Sequence, residues 1–311
     1  MQPLRYALTM SMLVNFSPDL RAWILHNLDR GCAPEGLVSA MIEQMFEPYI
    51  AKGLVNAFVD ARNRGQEPPS GSVALDAPSS ASLERGSLPE YRYEMPRLRP
   101  GAVISAGDRA ISVLLRISRP MLAVLDGVLS AQECDELIAL SRDRLRPSTV
   151  ADPLTGEDKV AEHRDSEGMF FRLQENPFIA ALDIRISALM GCPVENGEGL
   201  QILRYGPGAK NTPHYDFLVP SHQANRDSIA RSGQRISSLV IYLNDVPAGG
   251  ETDFPLAGIS VVPKKGNAVY FEYTNSLHQL DHMSLHAGAP IQAGEKWVAT
   301  KWMREKKYVS A

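Results

Sequence analysis

A histidine and an aspartate stand two positions apart in the stretch NTPHYDFLVP, as His214 and Asp216. Successive side chains of a β-strand point to opposite faces, so residues i and i+2 share a face and could bind one ion together. An isolated H-x-D pattern often arises by chance, and a solvated pair at a strand end is the simpler interpretation. A metal site therefore needs a further ligand from elsewhere in the chain.

Three more histidines follow in the stretch HQLDHMSLHAG, as His278, His282 and His286. On a helix, their spacing of four would place them on one face. A glycine and a proline just beyond them argue against a helix through this point. We expect His286, at the start of a strand in LHAGAPI, to face the H-x-D pair, and we keep His278 and His282 as alternative ligands.

A lysine on the next predicted strand supports the choice of His286. Strict alternation places Lys296 on one face with Val298, Thr300 and Trp302. A lysine is rarely buried without an anion, so a lysine opposite a metal site implies a ligand that carries a carboxylate. Two histidines and one carboxylate form the facial triad of non-haem iron(II) oxygenases, which leaves open positions for a chelating 2-oxo acid and dioxygen.

The first part of the chain predicts helices. The stretch SPDLRAWILHNLDRG begins with Ser17 as a cap and Pro18 at the first helical position, and two more amphipathic stretches end at Gly65. Residues 66–101 are rich in Pro, Ser, Gly and Ala, which is typical of a linker or an extended wrapping segment. We divide the chain into a helical N-terminal region, a linker or wrapping segment and a third domain, at residues 1–65, 66–119 and 120–311.

The third domain changes from helix to strand signals. AQECDELIALSRDRL and NPFIAALDIRISALMG predict helices, and short apolar segments separated by Gly, Pro and Asn follow after residue 200. Many short strands with turn signals indicate a jelly roll or a sandwich. The predicted fold class is therefore α+β, a jelly roll with supporting helices, preceded by a small helical region.

Four motifs in order make this domain similar to a known family. They are LQILRYGPGAKNTPHYDF, YLNDVPAGGETDFP, KKGNAVYFEY and LHAGAPIQAGEKWVATKWMRE. From about residue 122 to 305 the chain resembles the catalytic domain of iron(II)/2-oxoglutarate-dependent dioxygenases of the prolyl 4-hydroxylase alpha-subunit type. The resemblance implies a double-stranded β-helix, the jelly roll of that family.

The resemblance also implies roles for individual residues. His214, Asp216 and His286 would bind Fe(II). Lys296 would pair with the distal carboxylate of 2-oxoglutarate, and Tyr205 would donate a hydrogen bond to the same cosubstrate. A phenol and an ammonium group on one carboxylate would give a charge-assisted grip.

Three further residues are carried over as pocket or substrate contacts. Thr252 would line the cosubstrate pocket, while Arg164 and Trp302 would lie near the substrate. The chain departs from the family pattern at two positions: Asn211 stands where a tyrosine is frequent, and Asp165 replaces the threonine after the arginine. Both departures concern the substrate side of the site.

The reaction implied by the resemblance is hydroxylation of an unactivated C–H bond, in which dioxygen and 2-oxoglutarate are consumed and ascorbate supports turnover. A prolyl residue in a peptide or protein is the expected substrate, with a free amino acid or another small molecule as alternatives. The N-terminal helices lie outside the resemblance, and they could recognise substrate, form a homodimer or cover an edge of the roll.

Composition excludes several other classes. The 311 residues carry a net charge of −4, so no basic nucleic-acid footprint is expected. The three cysteines are far apart and odd in number, which fits a reducing compartment. No run approaches the roughly 18 apolar residues of a membrane span. We expect a soluble cytoplasmic protein without nucleic-acid or membrane partners.

Two competing functions fit parts of the pattern. A binding or adaptor protein could carry a structural metal site in a jelly roll, but a complete triad together with Lys296 argues against it. A metal-dependent isomerase or hydrolase of the cupin kind would not need a lysine to hold a dicarboxylate. Succinate formation with added Fe(II) and 2-oxoglutarate separates the enzyme from the binding protein.

Overall fold

The computed structural model describes residues 11–43, 46, 48–76, 91–147, 149–151, 158–160, 166–220 and 223–310. The chain divides into two compact units: Met1–Glu90 with Ala151–Glu157 and Val219–Asn225, and Tyr91–Val150 with Asp158–Leu218 and Arg226–Ala311. Within the described ranges, no helix combines the length and apolar character that a bilayer crossing requires.

The first unit contains the helices predicted near the N-terminus and a pair of strands that was not predicted. Its elements are β1 (Ser11–Asn15), α1 (Pro18–Asp29), α2 (Pro34–Glu43), α3 (Pro48–Asn63) and β2 (Ser72–Asp76). Ser17 caps α1, because its hydroxyl accepts a hydrogen bond from the N–H of Leu20 at 3.1 Å. Phe58 of α3 packs against Phe16 with ring centroids 5.5 Å apart.

The remaining elements include three helices and a long series of short strands. They are β3 (Val103–Ala106), β4 (Arg109–Ser118), β5 (Met121–Asp126), α4 (Ala131–Ser141), β6 (Arg146–Pro147), β7 (Thr149–Ala151), β8 (Asp158–Val160), β9 (Ser166–Phe171), α5 (Pro177–Met190), β10 (Leu200–Tyr205), β11 (Asn211–His214), α6 (Gln223–Ser232), β12 (Arg235–Tyr242), β13 (Ala248–Gly249), β14 (Thr252–Phe254), β15 (Ile259–Val261), β16 (Ala268–Glu272), β17 (His286–Gly288), β18 (Ile291–Ala293) and β19 (Lys296–Arg304).

Two antiparallel sheets form the jelly roll of the second unit. The major sheet has nine strands in the order β3-β4-β5-β16-β12-β19-β10-β9-β6, and the minor sheet has four in the order β11-β17-β14-β15. At the centre of the major sheet, β5 pairs with β16 and β19 lies between β12 and β10, so strands far apart in the chain are neighbours, as expected for a double-stranded β-helix rather than a meander. The predicted fold class is therefore confirmed. Strands β3 and β4 belong to the segment that the sequence predicted as linker or wrapping segment.

Strand β19 illustrates how alternation separates the core from the cleft between the sheets. Trp297, Ala299 and Met303 lie in the hydrophobic core, together with apolar residues of α4 and α5. The alternate residues of the same strand line the cleft. Lys301 also lies on the core face, where its Nζ pairs with a carboxylate oxygen of Asp183 at 2.7 Å. That pairing satisfies a charge that would otherwise be costly to bury.

The supporting helices have well-defined ends. Ser130 and Glu133 form a capping box at the start of α4. Asn176 caps α5, and Gly191 ends it in the left-handed conformation, with φ of 64°. A Cβ at this glycine would come within 2.8 Å of the carbonyl oxygen of Arg97, so both the backbone angle and the close approach require glycine.

Candidate metal centre

The minor sheet brings together three residues that can bind a metal. Strand pairing places His214 of β11 opposite His286 of β17, and Asp216 lies two residues beyond the end of β11. One ligand atom from each of the three lies within 4.8 Å of the other two. The Nε2 atom of His214 is 3.7 Å from Oδ1 of Asp216, and that of His286 is 3.6 Å from Oδ2.

The hydrogen bonds of the two histidines fix their tautomers. Nδ1 of His214 lies 2.8 Å from the carbonyl oxygen of Thr212, and Nδ1 of His286 lies 3.0 Å from that of Ser284. A carbonyl oxygen only accepts, so both Nδ1 atoms carry the hydrogen. The lone pairs are then on the Nε2 atoms, which is the arrangement found in metal-binding histidines. Two imidazoles and one carboxylate fit Fe(II) as the ligand set of the facial triad.

Asp216 is held as a carboxylate inside the protein. Burial alone would raise its pKa, but His286, His214, the Arg235 guanidinium and the hydroxyl of Ser238 together hold the pKa well below its usual value. Ser238 donates a hydrogen bond of 2.5 Å to Oδ2. The group therefore stays ionised and able to bind a cation.

Lys296 lines the same cleft as the triad and is only 5% exposed. Burial lowers the pKa of Lys296 to about 8. Among the described residues no carboxylate lies within ion-pair distance of its Nζ, which sits 5.5 Å from the ring centroid of Tyr242. A buried ammonium group without an anion is costly, so this end of the cleft fits an anionic ligand.

Tyr205 and Thr252 also lie in this cleft. Tyr205 stands directly opposite Lys296 in the pairing of β10 with β19, so the two side chains leave the sheet on the same face. Thr252 lines the cleft and accepts a hydrogen bond of 2.9 Å from the hydroxyl of Tyr242. The structure therefore places both predicted cosubstrate residues in the pocket that holds the triad and Lys296.

Trp302 lines the cleft, and a network of charged side chains contacts its ring. The Arg235 guanidinium stacks over its ring at 4.0 Å and also donates to Glu198 at 2.7 and 2.8 Å. Arg304 donates to the same carboxylate at 3.0 Å. The indole N–H of Trp302 and the amide oxygen of Gln201, both lining the cleft, are buried without a hydrogen-bond partner among the described residues.

Sequence reasoning missed Arg235, Glu198 and Ser238. The sequence feature that could have indicated Arg235 and Ser238 lies in the strand RISSLVIYL, which begins with polar residues before its apolar part. A polar side chain inside a buried strand needs a partner, but the partner could not be identified before the strand order was known.

The alternative histidines lie outside the ligand cluster. The side chain of His278 is 67% exposed, and its Nδ1 lies 2.7 Å from a carboxylate oxygen of Glu305. His282 packs edge-on against the rings of Tyr215 and Phe217, and burial lowers its pKa to about 3. Neither histidine supplies a ligand atom to the cluster.

The two departures from the family pattern have different outcomes. Arg164 and Asp165 lie outside the described residues. Asn211 lines the cleft, with its amide nitrogen 3.4 Å from Nε2 of His214. A short polar side chain therefore stands beside the metal ligands where the family frequently has an aromatic one.

Comparison with known proteins agrees with this geometry. The model of the 2OG-Fe(II) oxygenase superfamily matches residues 200–304, which include every residue of the triad and Lys296. Prolyl 4-hydroxylase 1 of Arabidopsis thaliana is 42% identical over 202 residues, which are 60% of this chain and 70% of the relative. Prolyl 4-hydroxylase 2 of the same plant is 38% identical over 207 residues, which are 60% of this chain and 68% of the relative.

Among solved structures, the chain is similar to the viral collagen prolyl hydroxylase of Paramecium Bursaria Chlorella virus-1 in its 2OG complex. The two are 29% identical, with a TM-score of 0.46 over 59% of this chain and 95% of the viral protein. The plant relatives share more than 35% of their residues with this chain over more than two thirds of their own length. The chain therefore belongs to the 2OG-Fe(II) oxygenase superfamily and, within it, to the prolyl 4-hydroxylase family.

Proposed function

We propose that this protein is an Fe(II)- and 2-oxoglutarate-dependent dioxygenase that hydroxylates a prolyl residue in a peptide or protein. The observation that carries the proposal is the position of Lys296, a buried ammonium group in the cleft that also holds the three clustered ligand atoms. A metal site alone would suit many functions, whereas a metal site with a buried cation beside it suits a chelating diacid.

The metal would be held by His214, Asp216 and His286, and when bound it supplies the oxygen chemistry that side chains cannot perform. The chain keeps these ligands in the correct form beforehand. The backbone carbonyls of Thr212 and Ser284 orient the two imidazoles, and the Ser238 hydroxyl orients the carboxylate. Such supporting bonds fix ligand direction and basicity.

Lys296 and Tyr205 would hold the distal carboxylate of 2-oxoglutarate. They face each other across β10 and β19, so one carboxylate could accept a hydrogen bond from each. An ammonium–carboxylate bond in a buried pocket is strong because little water screens it. The hydroxyl of Thr252 extends the polar lining on the neighbouring sheet. Together these residues would select a dicarboxylic acid over a monocarboxylic one.

Apolar walls complete the cleft. Leu203, Val240, Ile291 and Val298 line it between the polar groups. These side chains exclude water from the region around the metal ligands, which strengthens the electrostatic contacts and protects reactive species from the solvent.

Two unpartnered polar groups in the lining of the cleft support a peptide as the substrate. Trp302 offers a buried indole N–H and Gln201 a buried amide oxygen, and neither has a partner among the described residues. A peptide group carries both an acceptor and a donor and could satisfy the two. The choice of a prolyl residue rests on the names of the plant relatives. A free amino acid or another small molecule is the alternative.

The proposal extends to several properties on which only the sequence bears. We propose that ascorbate supports turnover, that the protein acts in the cytoplasm without nucleic-acid or membrane partners, and that the N-terminal helices permit a homodimer. The widely spaced cysteines and the net charge of −4 support the compartment and the lack of nucleic-acid binding. The division at residues 65 and 119 is part of the same proposal.

The test is a turnover assay with Fe(II), 2-oxoglutarate, ascorbate and a panel of proline-containing peptides. We expect succinate to form and a peptide to gain the mass of one oxygen atom. His214→Ala should abolish both, whereas His278→Ala, which removes an exposed histidine outside the cluster, should leave both unchanged. Metal binding without succinate formation would contradict the proposal and favour a non-catalytic binding or adaptor protein.

A further inference from the structure

We infer that Asn244 is a positioning residue that fixes the backbone on both sides of Lys296 and thereby sets the length of dicarboxylic acid that the cleft prefers. The inference rests on the proposed function, in which Lys296 holds the distal carboxylate of 2-oxoglutarate. The side-chain amide of Asn244 spans this lysine. Its Oδ1 accepts a hydrogen bond of 2.7 Å from the N–H of Trp297, and its Nδ2 donates one of 2.8 Å to the carbonyl oxygen of Glu295.

Lys296 lies beyond the regular pairing of β12 with β19. That pairing ends at Val298, two residues after the lysine. Leu243 adds one backbone bond, from its N–H to the carbonyl oxygen of Trp297 at 2.9 Å. The amide of Asn244 then takes the place of a further strand residue, because it offers a donor and an acceptor as a peptide group does. Strand ends open readily where few backbone bonds hold them, so Asn244 keeps β19 ordered at its first residue.

The other neighbour of β19 holds the same short segment from the opposite side. Tyr205 of β10 pairs with Lys296. The side chain of Arg204 donates a hydrogen bond of 2.8 Å to a carboxylate oxygen of Glu295. The backbone around the lysine is therefore held from β10, and Asn244 supplies the matching bonds on the side of β12.

The side chain of Lys296 has little freedom of its own. A Cβ at Gly250 would come within 3.4 Å of Cδ of Lys296 and within 2.7 Å of Cδ1 of Ile291, so the turn at this glycine passes close over the lysine stem. The Nζ atom lies 5.5 Å from the ring centroid of Tyr242. Because the stem is packed in this way, the position of the ammonium group follows the position of the backbone.

The position of the ammonium group determines which acid fits. The triad would fix one end of a chelating 2-oxo acid and Lys296 the other, so the span between them matches one chain length. 2-Oxoadipate is one methylene group longer than 2-oxoglutarate. A firmly held lysine rejects the longer acid, whereas a lysine on a loose strand end adapts to both. Asn244 therefore contributes to selectivity as well as to affinity.

The experiment measures the Kd for both acids by calorimetric titration into the Mn(II)-loaded full-length protein. In Asn244→Ala we expect the Kd for 2-oxoglutarate to rise about tenfold and that for 2-oxoadipate to change less than about threefold, so that the preference between them falls. Hydrogen–deuterium exchange of the ligand-free protein should accelerate at the amide of Trp297, while the later residues of β19 stay slow. Asn244→Ser, which also lacks the amide, should behave alike and decides the matter if Asn244→Ala does not fold.

Asn275 provides a matched control. Its side chain also bonds backbone groups, since it donates to the carbonyl oxygen of Arg92 and accepts from the N–H of Leu277, both at 3.0 Å. Among the described residues, the lining of the cleft does not include Asn275. Asn275→Ala should lower the free energy of unfolding and leave the preference between the two acids unchanged.

The outcomes separate the inference from the proposed function. An unchanged preference for 2-oxoglutarate in Asn244→Ala overturns the positioning role, whatever the exchange at Trp297, and leaves the enzyme proposal intact. The same loss of preference in Asn275→Ala, or equal affinity of the unchanged protein for both acids, has the same meaning. If the unchanged protein binds neither acid, the proposed function is overturned together with the inference.

Discussion

Replacing Lys296 with methionine separates the role of this residue in ligand binding from its effect on stability. Methionine has a similar length and no charge, so it should fill the same space on β19. Lys296 is 5% exposed and has no ion-pair partner among the described residues. We therefore expect the substitution to stabilise the protein without ligand and to weaken the binding of 2-oxoglutarate.

The stability effect follows from the pKa of Lys296. Burial lowers the pKa from 10.5 to about 8, so the unfolded chain holds its proton more tightly than the folded protein. Burial of the charged lysine therefore lowers the free energy of unfolding. This loss is present in full below pH 8 and disappears as the pH rises to 10.5. The difference corresponds to an upper limit of about 3 kcal/mol. Lys296→Met should raise the free energy of unfolding at pH 7 by up to this amount.

The binding effect has the opposite sign. Removing one partner of a buried charged pair costs about 3–5 kcal/mol, because the other charge stays buried without compensation. Since about 1.4 kcal/mol corresponds to a factor of ten, the Kd for 2-oxoglutarate should rise by a factor of roughly 10² to 4 × 10³. Calorimetric titration of 2-oxoglutarate into the Mn(II)-loaded protein measures the Kd, and urea unfolding measures the stability.

Lys301→Met is the contrasting variant on the same strand. Lys301 is also buried but pairs with Asp183 on the core side. Its loss should destabilise the protein by about 3–5 kcal/mol and leave the Kd for 2-oxoglutarate unchanged. If Lys296→Met binds 2-oxoglutarate within threefold of the unchanged protein, the assignment of this lysine to the cosubstrate carboxylate is wrong.

Three further predictions concern other parts of the second unit. Burial raises the pKa of Asp281 to about 6, so the free energy of unfolding should fall as the pH rises from about 4 to 6. Asp281→Asn should remove this pH dependence, which urea unfolding at pH 4.5 and 7 measures. The same difference between the two pH values in the variant would contradict the prediction. His286→Ala should abolish the increase in melting temperature caused by Mn(II), since one of the three clustered ligands is lost; a retained shift would place the metal elsewhere. Ser130→Ala should lower the free energy of unfolding by about 1 kcal/mol, because the N–H of Glu133 loses its cap; no loss would mean that water replaces the hydroxyl.

Alternation and turn signals were sufficient to predict the strand-rich half of the fold. On β19, the apolar residues Trp297, Ala299 and Met303 lie in the core while the alternate residues line the cleft, as a period of two requires. The spacing of His214 and Asp216 gave the first indication of the metal site, although the strand predicted to carry both ends at His214 and Asp216 lies just beyond it. Which histidine completes it depends on strand order, and here the predicted strand at His286 was enough.

Strands β3 and β4 were harder to predict because their outer face is not polar. Leu114 and Leu115 are both substantially exposed, and a bulge between Val113 and Leu115 shifts the phase of the pattern. A strand with such an interruption does not show clean alternation. The pairing of β1 with β2 was missed for another reason, since it joins segments more than fifty residues apart and depends on tertiary structure.

The supporting residues of the site could not be predicted for a similar reason. Ser238 is a small polar residue within an apolar strand, and its effect depends on Asp216, which comes from the other side of the jelly roll. Arg235 stacks on Trp302, which is more than sixty residues further along the chain. Such contacts become visible only when the strand order and register are known.

The central position of β19 ties the rigidity of the cleft to that of the whole second unit. The strand pairs with β12 on one side and β10 on the other. One of its faces lies in the hydrophobic core, and the other lines the cleft. A one-residue shift in the pairing register of β19 would move Trp297 into the cleft and Lys296 into the core. We therefore expect β19 to keep its register for as long as the unit is folded. The wall that carries Lys296 should therefore open only when the unit unfolds globally, and its amide hydrogens should exchange as slowly as those of the deepest core strands.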